Sequence, residues 1–82
     1  METYLSIKVN GVKKVAISGE FIKLDSLLKF ASIASTGGEA KFLINNGSVF
    51  VGHEMCRIRG KKIRPGDIVR CNGIVLVVVS VL

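Results

Sequence analysis

From Thr3 to Val9 the chain mixes β-branched, aromatic and polar residues, a composition that predicts a strand. Asn10-Gly11 follows, the pair favoured by type I′ hairpin turns because both residues tolerate positive φ. Val12 to Ser18 is the predicted return strand, and Gly19 breaks it. The rhythm then changes. Leu24, Leu27, Leu28 and Ala31 fall at i, i+3, i+4 and i+7, which predicts a helix over about 24–33 with one apolar face. Asp25 sits in its first turn, where a carboxylate suits the positive end of the helix dipole. A second helix opens at Thr36-Gly37-Gly38-Glu39. This is a capping-box spacing, with Thr36 and Glu39 each bonding the other's backbone N–H. Ala40, Leu43 and Ile44 supply its apolar face, and Asn46-Gly47 ends it with glycine in the left-handed position.

The last third returns to strands. Ser48 to Val51 and Glu54 to Ile58 are predicted to pair around a Gly52-His53 turn, with Arg57 and Arg59 on one side of the second strand or its extension. Arg64-Pro65-Gly66-Asp67 fits a type II turn. Ile68 to Cys71 and Ile74 to Val81 form a final hairpin around Asn72-Gly73. The apolar run Ile74 to Leu82 is far short of the roughly 20 residues a membrane-spanning helix needs. Met1-Glu2-Thr3 has neither the basic start nor the apolar stretch of a signal peptide.

Eighty-two residues predict one domain with a small core, burying roughly 60–65% of its unfolded surface. Charge is distributed unevenly along it. Residues 1–56 carry six basic and five acidic side chains, a net of +1, whereas residues 57–82 carry six and one, a net of +5. Five of the eight residues from Arg57 to Arg64 are basic: Arg57, Arg59, Lys61, Lys62 and Arg64. Such a cluster attracts a polyanion, because each cation that neutralises a phosphate releases a condensed counterion. A solvated loop that keeps a small protein soluble is the plainer account of the same run.

Other chemistry is sparse. Cys56 and Cys71 belong to no Cys-x-x-Cys or Cys/His cluster, so no zinc site is expected. Sequence leaves a disulfide between them open, and two reduced, partly buried thiols are the simpler account. His53 is the only histidine and reads as a turn residue, and no nucleophile is placed near it. Of the five aromatics, Tyr4, Phe21, Phe30, Phe42 and Phe50, four fall within apolar patterns and are expected in the core. No aromatic-interleaved basic stripe is present, so recognition of a nucleic acid would rest on phosphate geometry and overall shape more than on base identity.

Residues 22–69 resemble the S4 RNA-binding domain. Lys23-Leu24-Asp25 matches the basic-Leu-Asp signature that opens a helix in that family. Thr36 with Ala40-Lys41 matches its capped second helix. Gly47-Ser48-Val49-Phe50-Val51 and Pro65-Gly66-Asp67-Ile68-Val69 match its hairpin and its Gly-Asp turn. The stretch 35–41 together with Arg59-Gly60-Lys61-Lys62 is similar to short stand-alone bacterial members of YaaA/YbcJ type. Two positions depart from the pattern. Val51-Gly52-His53 replaces Val-Asn-Gly, and Gly37 stands where many members carry an Arg that contacts phosphate.

The resemblance implies an α+β fold: two short helices packed beside a small, mostly antiparallel sheet, with an N-terminal β-hairpin. Residues 1–82 form one domain, divided into a hairpin extension (1–19), the core motif (20–71) and a C-terminal strand (72–82). The implied function is non-enzymatic binding of structured RNA, ribosomal or transfer RNA, in the cytoplasm. Ribosomal particles are possible partners, and no cofactor, metal, membrane or small-molecule substrate is expected. The implied contacts are Lys23, Lys41, Arg57, Arg59, Lys61, Lys62 and Arg64. Thr36, Gly37 and Gly38 open the second helix, where glycines leave backbone N–H groups available to a phosphate; a tight inter-helix turn explains the same glycines. The alternative function is a protein-interaction module that docks its basic loop, or an exposed C-terminal edge strand, on an acidic partner.

Overall fold

The computed structural model describes residues 3–9, by their backbone, and residues 11–81. The Asn10 half of the Asn10-Gly11 turn, the Met1-Glu2 start, the Tyr4 side chain and Leu82 at the end of the apolar run lie outside the described residues. In chain order the elements are β1 (Thr3–Val9), β2 (Val12–Ile17), β3 (Ile22–Lys23), α1 (Leu24–Phe30), α2 (Gly37–Asn45), β4 (Val49–Val51), β5 (Glu54–Met55), β6 (Lys62–Ile63), β7 (Ile68–Cys71) and β8 (Ile74–Ser80). The fold is α+β, as the sequence implies. Six strands form one sheet in the order β1-β2-β8-β7-β4-β5, and β3 pairs with β6 in a separate two-stranded ribbon. Every pairing is antiparallel except β2 with β8.

The core lies between the inner face of the sheet and the two helices. Leu24, Leu27, Leu28 and Ala31 are fully buried, as their helical spacing requires, and Ala40 and Ile44 join them from α2. The strands contribute Val15, Ile17, Val49, Val69, Leu76 and Val78. Burying these side chains is the main favourable term of the fold, about 1.5–3 kcal/mol for each large aliphatic. The N-terminal hairpin is part of this architecture, because β2 sits between β1 and β8. Lys13 Nζ on β2 donates to the Ala31 carbonyl at the end of α1 at 2.7 Å.

Both helices end in the same way. After α2, Ser48 N–H bonds to Leu43 O and Gly47 N–H to Ile44 O, with Gly47 at φ +83°, a complete Schellman motif. After α1, Ile33 N–H bonds to Leu28 O and Ser32 N–H to Lys29 O, but the left-handed residue is Ser32, at φ 61°. This turn closes the helix at Phe30, three residues before the expected end. A side chain in the left-handed region costs about 1–2 kcal/mol, part of which glycine's greater unfolded-state entropy offsets. Ser32→Gly is therefore expected to stabilise the protein by about 0.5–1 kcal/mol, read as a raised thermal midpoint. A lowered midpoint would show that the serine side chain supports the turn.

Four expectations need correction. First, the strand from Glu54 stops at Met55, and the chain then leaves the sheet, so Arg57 and Arg59 do not share a strand face. Second, the capping box at α2 is displaced by one residue. Glu39 N–H bonds to Thr36 Oγ1 at 3.1 Å, but the Glu39 carboxylate accepts from Ser35 N–H rather than from Thr36. Third, no described aromatic belongs to the fully buried core. Phe30 packs against it, Phe21 is half-buried, and Phe42 and Phe50 are 64% and 37% exposed. Leu, Ile, Val and Ala side chains from both layers already fill that space. Fourth, β8 is not an edge strand. It lies inside the sheet, bonded to β2 on one side and β7 on the other, so its backbone has no open row to recruit a partner. Among the described residues, no helix is long and apolar enough to cross a membrane.

Candidate nucleic-acid interface

The basic segment is anchored along most of its length. Leu24 and Asp25 begin α1, and their N–H groups need acceptors because a first helical turn has none of its own. Lys61 O and Arg59 O supply them, at 2.9 and 3.1 Å. Arg59 also approaches the Asp25 carboxylate at 4.0 Å, an exposed pair that adds little stability. Immediately after Lys61, β6 pairs with β3 and brings Lys62 directly opposite Lys23. Lys62 Nζ lies 4.9 Å from the centroid of the Phe21 ring, and the Arg64 guanidinium lies 5.9 Å from it. The ring face attracts both cations. The Arg64-to-Asp67 turn then closes as expected, with Asp67 N–H bonded to Arg64 O at 2.9 Å and Arg64 N–H bonded to Asp67 Oδ2 at 2.8 Å.

Lys23, Lys62 and Arg64 thus form one cluster around Phe21, flanked by Arg59 and Lys61. All five are exposed. Like charges directly opposite across a strand pair are destabilising. The backbone nevertheless holds Lys23 against Lys62, and the two acids beside this cluster are engaged, Asp25 with Arg59 and Asp67 with the Arg64 N–H. Arg57 stands apart. Its guanidinium lies near Gly47, at the end of α2.

The remaining candidates are on α2. Thr36, Gly37, Gly38 and Lys41 are all exposed. Among the described residues, no hydrogen bond or ion pair joins them to segment 57–64. Gly37 and Gly38 are helical, so the inter-helix turn does not account for them. A side chain at Gly37 would meet nothing within 4 Å, and one at Gly38 only Thr36 Oγ1 at 3.8 Å. Neither conformation nor crowding calls for glycine here, and glycine near a helix start lowers helix stability.

Sequence reasoning missed Phe42. At about 100° per residue it projects away from the Ala40, Leu43 and Ile44 face, so the helical period already excluded it from the core. It stands beside Lys41 on the exposed side of α2. Also missed was the role of Phe21 as the platform under Lys62 and Arg64.

His53 is exposed in the β4–β5 turn. Cys56 and Cys71 are both free thiols, and burial pushes the Cys71 thiol up, so it stays protonated and packs as an apolar side chain. Among the described residues, no three His, Cys, Asp or Glu side chains are placed to hold a metal ion.

Comparison with known proteins agrees with this architecture. Residues 15–79 match the model of the S4 domain family. The match reaches beyond the motif at 22–69, taking in the end of β2 and nearly all of β8. The chain is also 36% identical over 59 residues to "Probable ribosome maturation protein RlbA" of Bacillus subtilis (strain 168), covering 72% of this chain and 83% of that protein. Matched over most of its length by the family model, this chain belongs to the S4 domain family.

Proposed function

We propose that this protein is a non-enzymatic RNA-binding module that grips structured RNA through the cluster of Lys23, Arg59, Lys61, Lys62 and Arg64. The observation that carries this reading is the Lys23–Lys62 pair, two like charges held opposite each other by backbone hydrogen bonds. A polyanion relieves the repulsion such a pair stores and releases counterions as it does so. Lys41 extends the contact along α2, Phe42 offers it a ring, and the Gly37-Gly38 start of that helix leaves room for a phosphate. The name of the Bacillus subtilis relative favours ribosomal RNA or a ribosomal particle as the target. Residues 1–82 act as one S4-like unit in the cytoplasm, with no cofactor and no small-molecule substrate. The competing reading, a basic loop docked on an acidic protein, loses its edge-strand variant because β8 is internal.

Phosphate attraction alone does not separate RNA from DNA, but a rigid surface of fixed charge spacing does. A-form RNA has a shallow minor groove lined with 2′-hydroxyls and spaces its phosphates differently from B-DNA. A structured RNA hairpin is expected to outcompete a DNA duplex of equal length in one filter-binding assay. With about four or five phosphates contacted, log K is expected to fall with log salt at a slope of about −3 to −4. Equal affinity would make this a generic polyanion binder, and a flat salt response would remove the electrostatic mechanism.

A further inference from the structure

The chain does something specific between β5 and β6. After Met55, Cys56 N–H bonds back to Val49 O at 2.9 Å. The chain then curls around one carbonyl: Lys61 N–H bonds to Ile58 O at 3.1 Å, and Cys56 Sγ reaches the same oxygen at 3.8 Å. The curl leaves an open groove of about 350 Å³. Val51, Met55, Cys56 and Ile58 give it apolar walls, Arg57 and Lys61 contribute positive charge, and Glu54 contributes one negative charge. Met55 is 49% exposed and Ile58 66% exposed, so both offer their apolar surface to solvent.

We infer that this groove binds a single unpaired nucleotide of the RNA, its base against Met55 and Ile58 and its phosphate on Arg57 and Lys61. The inference rests on the RNA-binding reading and sharpens it from shape recognition to recognition of a break in the helix. Three observations converge. The groove volume lies at the low end for small-ligand sites, about 300–1,000 Å³, which suits one nucleotide and not a folded segment. Its lining pairs an apolar surface with two cations, and an unpaired nucleotide carries the complementary pair, a flat base and a phosphate. A paired duplex keeps its bases stacked inside and cannot present one to an apolar wall. The groove is also continuous with the basic cluster, since Lys61 both lines it and bonds through its carbonyl to the start of α1. Met55 suits the contact because a thioether is flexible and polarisable against an aromatic ring. Glu54 repels phosphate from its own end and accepts hydrogen bonds from exocyclic amines, so it orients the base edge toward itself.

The test uses three RNA hairpins of one stem sequence: fully paired, with a one-nucleotide bulge, and with an abasic residue in the bulge. The bulged hairpin is expected to bind about tenfold tighter than the paired one at the same salt, and the abasic hairpin to match the paired one. Ile58→Ser should abolish that advantage while leaving affinity for the paired hairpin unchanged. Met55→Ala should do the same, with a thermal melt confirming that it remains folded. Alkylation of Cys56 by iodoacetamide should be slowed by the bulged hairpin and not by the paired one. Equal binding of bulged and abasic hairpins, or an Ile58→Ser variant that keeps the preference, would overturn the inference while the RNA-binding reading stands. Failure of all three hairpins to bind would remove both.

Discussion

Gly47→Val is expected to destabilise the protein by about 3–4 kcal/mol, a large part of the roughly 5–15 kcal/mol available to a small domain. Two independent constraints meet at this residue. Its φ is +83°, a region that costs an L side chain about 1–2 kcal/mol and a β-branched one more. A Cβ built there would also come within 3.0 Å of Met55 Sδ and 3.3 Å of an Arg57 guanidinium nitrogen. Gly47→Asn separates the two, because asparagine tolerates the left-handed region but still carries a Cβ. It is expected to cost about 1–2 kcal/mol in urea unfolding, with Met55 and Arg57 giving way at their flexible ends. Equal losses for Val and Asn would assign the whole effect to crowding. The position matters beyond stability. Met55 and Arg57 both line the groove beside the basic segment, so the residue that terminates α2 also sets where one wall of that groove stands.

The features that the sequence made legible are those governed by local chemistry. The spacing of Leu24, Leu27, Leu28 and Ala31 fixed a helix face, and all four are buried. Asn46-Gly47 and Pro65-Gly66-Asp67 fixed turns, because few residues accept the dihedrals involved. The misses have non-local causes. The end of α1 at Phe30 depends on Ser32 entering a region that serine rarely adopts, which no residue preference announces. The internal position of β8 depends on a parallel partner more than fifty residues earlier in the chain. The strand that failed beyond Met55 carries apolar and basic residues that would suit an extended pair. It lacks a partner there, because β4 begins at Val49, which takes the last bond from Cys56 N–H, and the residues before it, Gly47 and Ser48, are used in the turn that closes α2. At the site, charge composition located the basic segment but not its shape. That shape comes from Lys61 O and Arg59 O capping α1, and from Lys23 meeting Lys62, contacts that join residues almost forty positions apart.

Replacing Arg59, Lys61 and Lys62 together by alanine is expected to weaken RNA binding about a hundredfold or more at 0.1 M salt while leaving the domain folded. Each lost phosphate contact removes about 0.7–0.9 from the salt slope, so three contacts account for about 2–3 of it. The slope should therefore fall toward about −1, the remainder coming from the one or two contacts left among Lys23, Arg64 and Lys41. Folding survives because the segment is held by its backbone. The bonds from Leu24 N–H to Lys61 O and from Asp25 N–H to Arg59 O do not involve the replaced side chains, and Ile63 stays buried in the core. What is lost locally is small: an exposed ion pair at 4.0 Å and one cation over Phe21. Removing Lys62 also relieves its repulsion with Lys23, which offsets part of that loss. The thermal midpoint should thus change little while affinity collapses, and a circular-dichroism melt beside a salt titration reads both. A variant that binds with unchanged affinity and slope would move the interface off this segment and onto α2. One that unfolds would mean that the side chains, not the backbone bonds, hold the segment against α1.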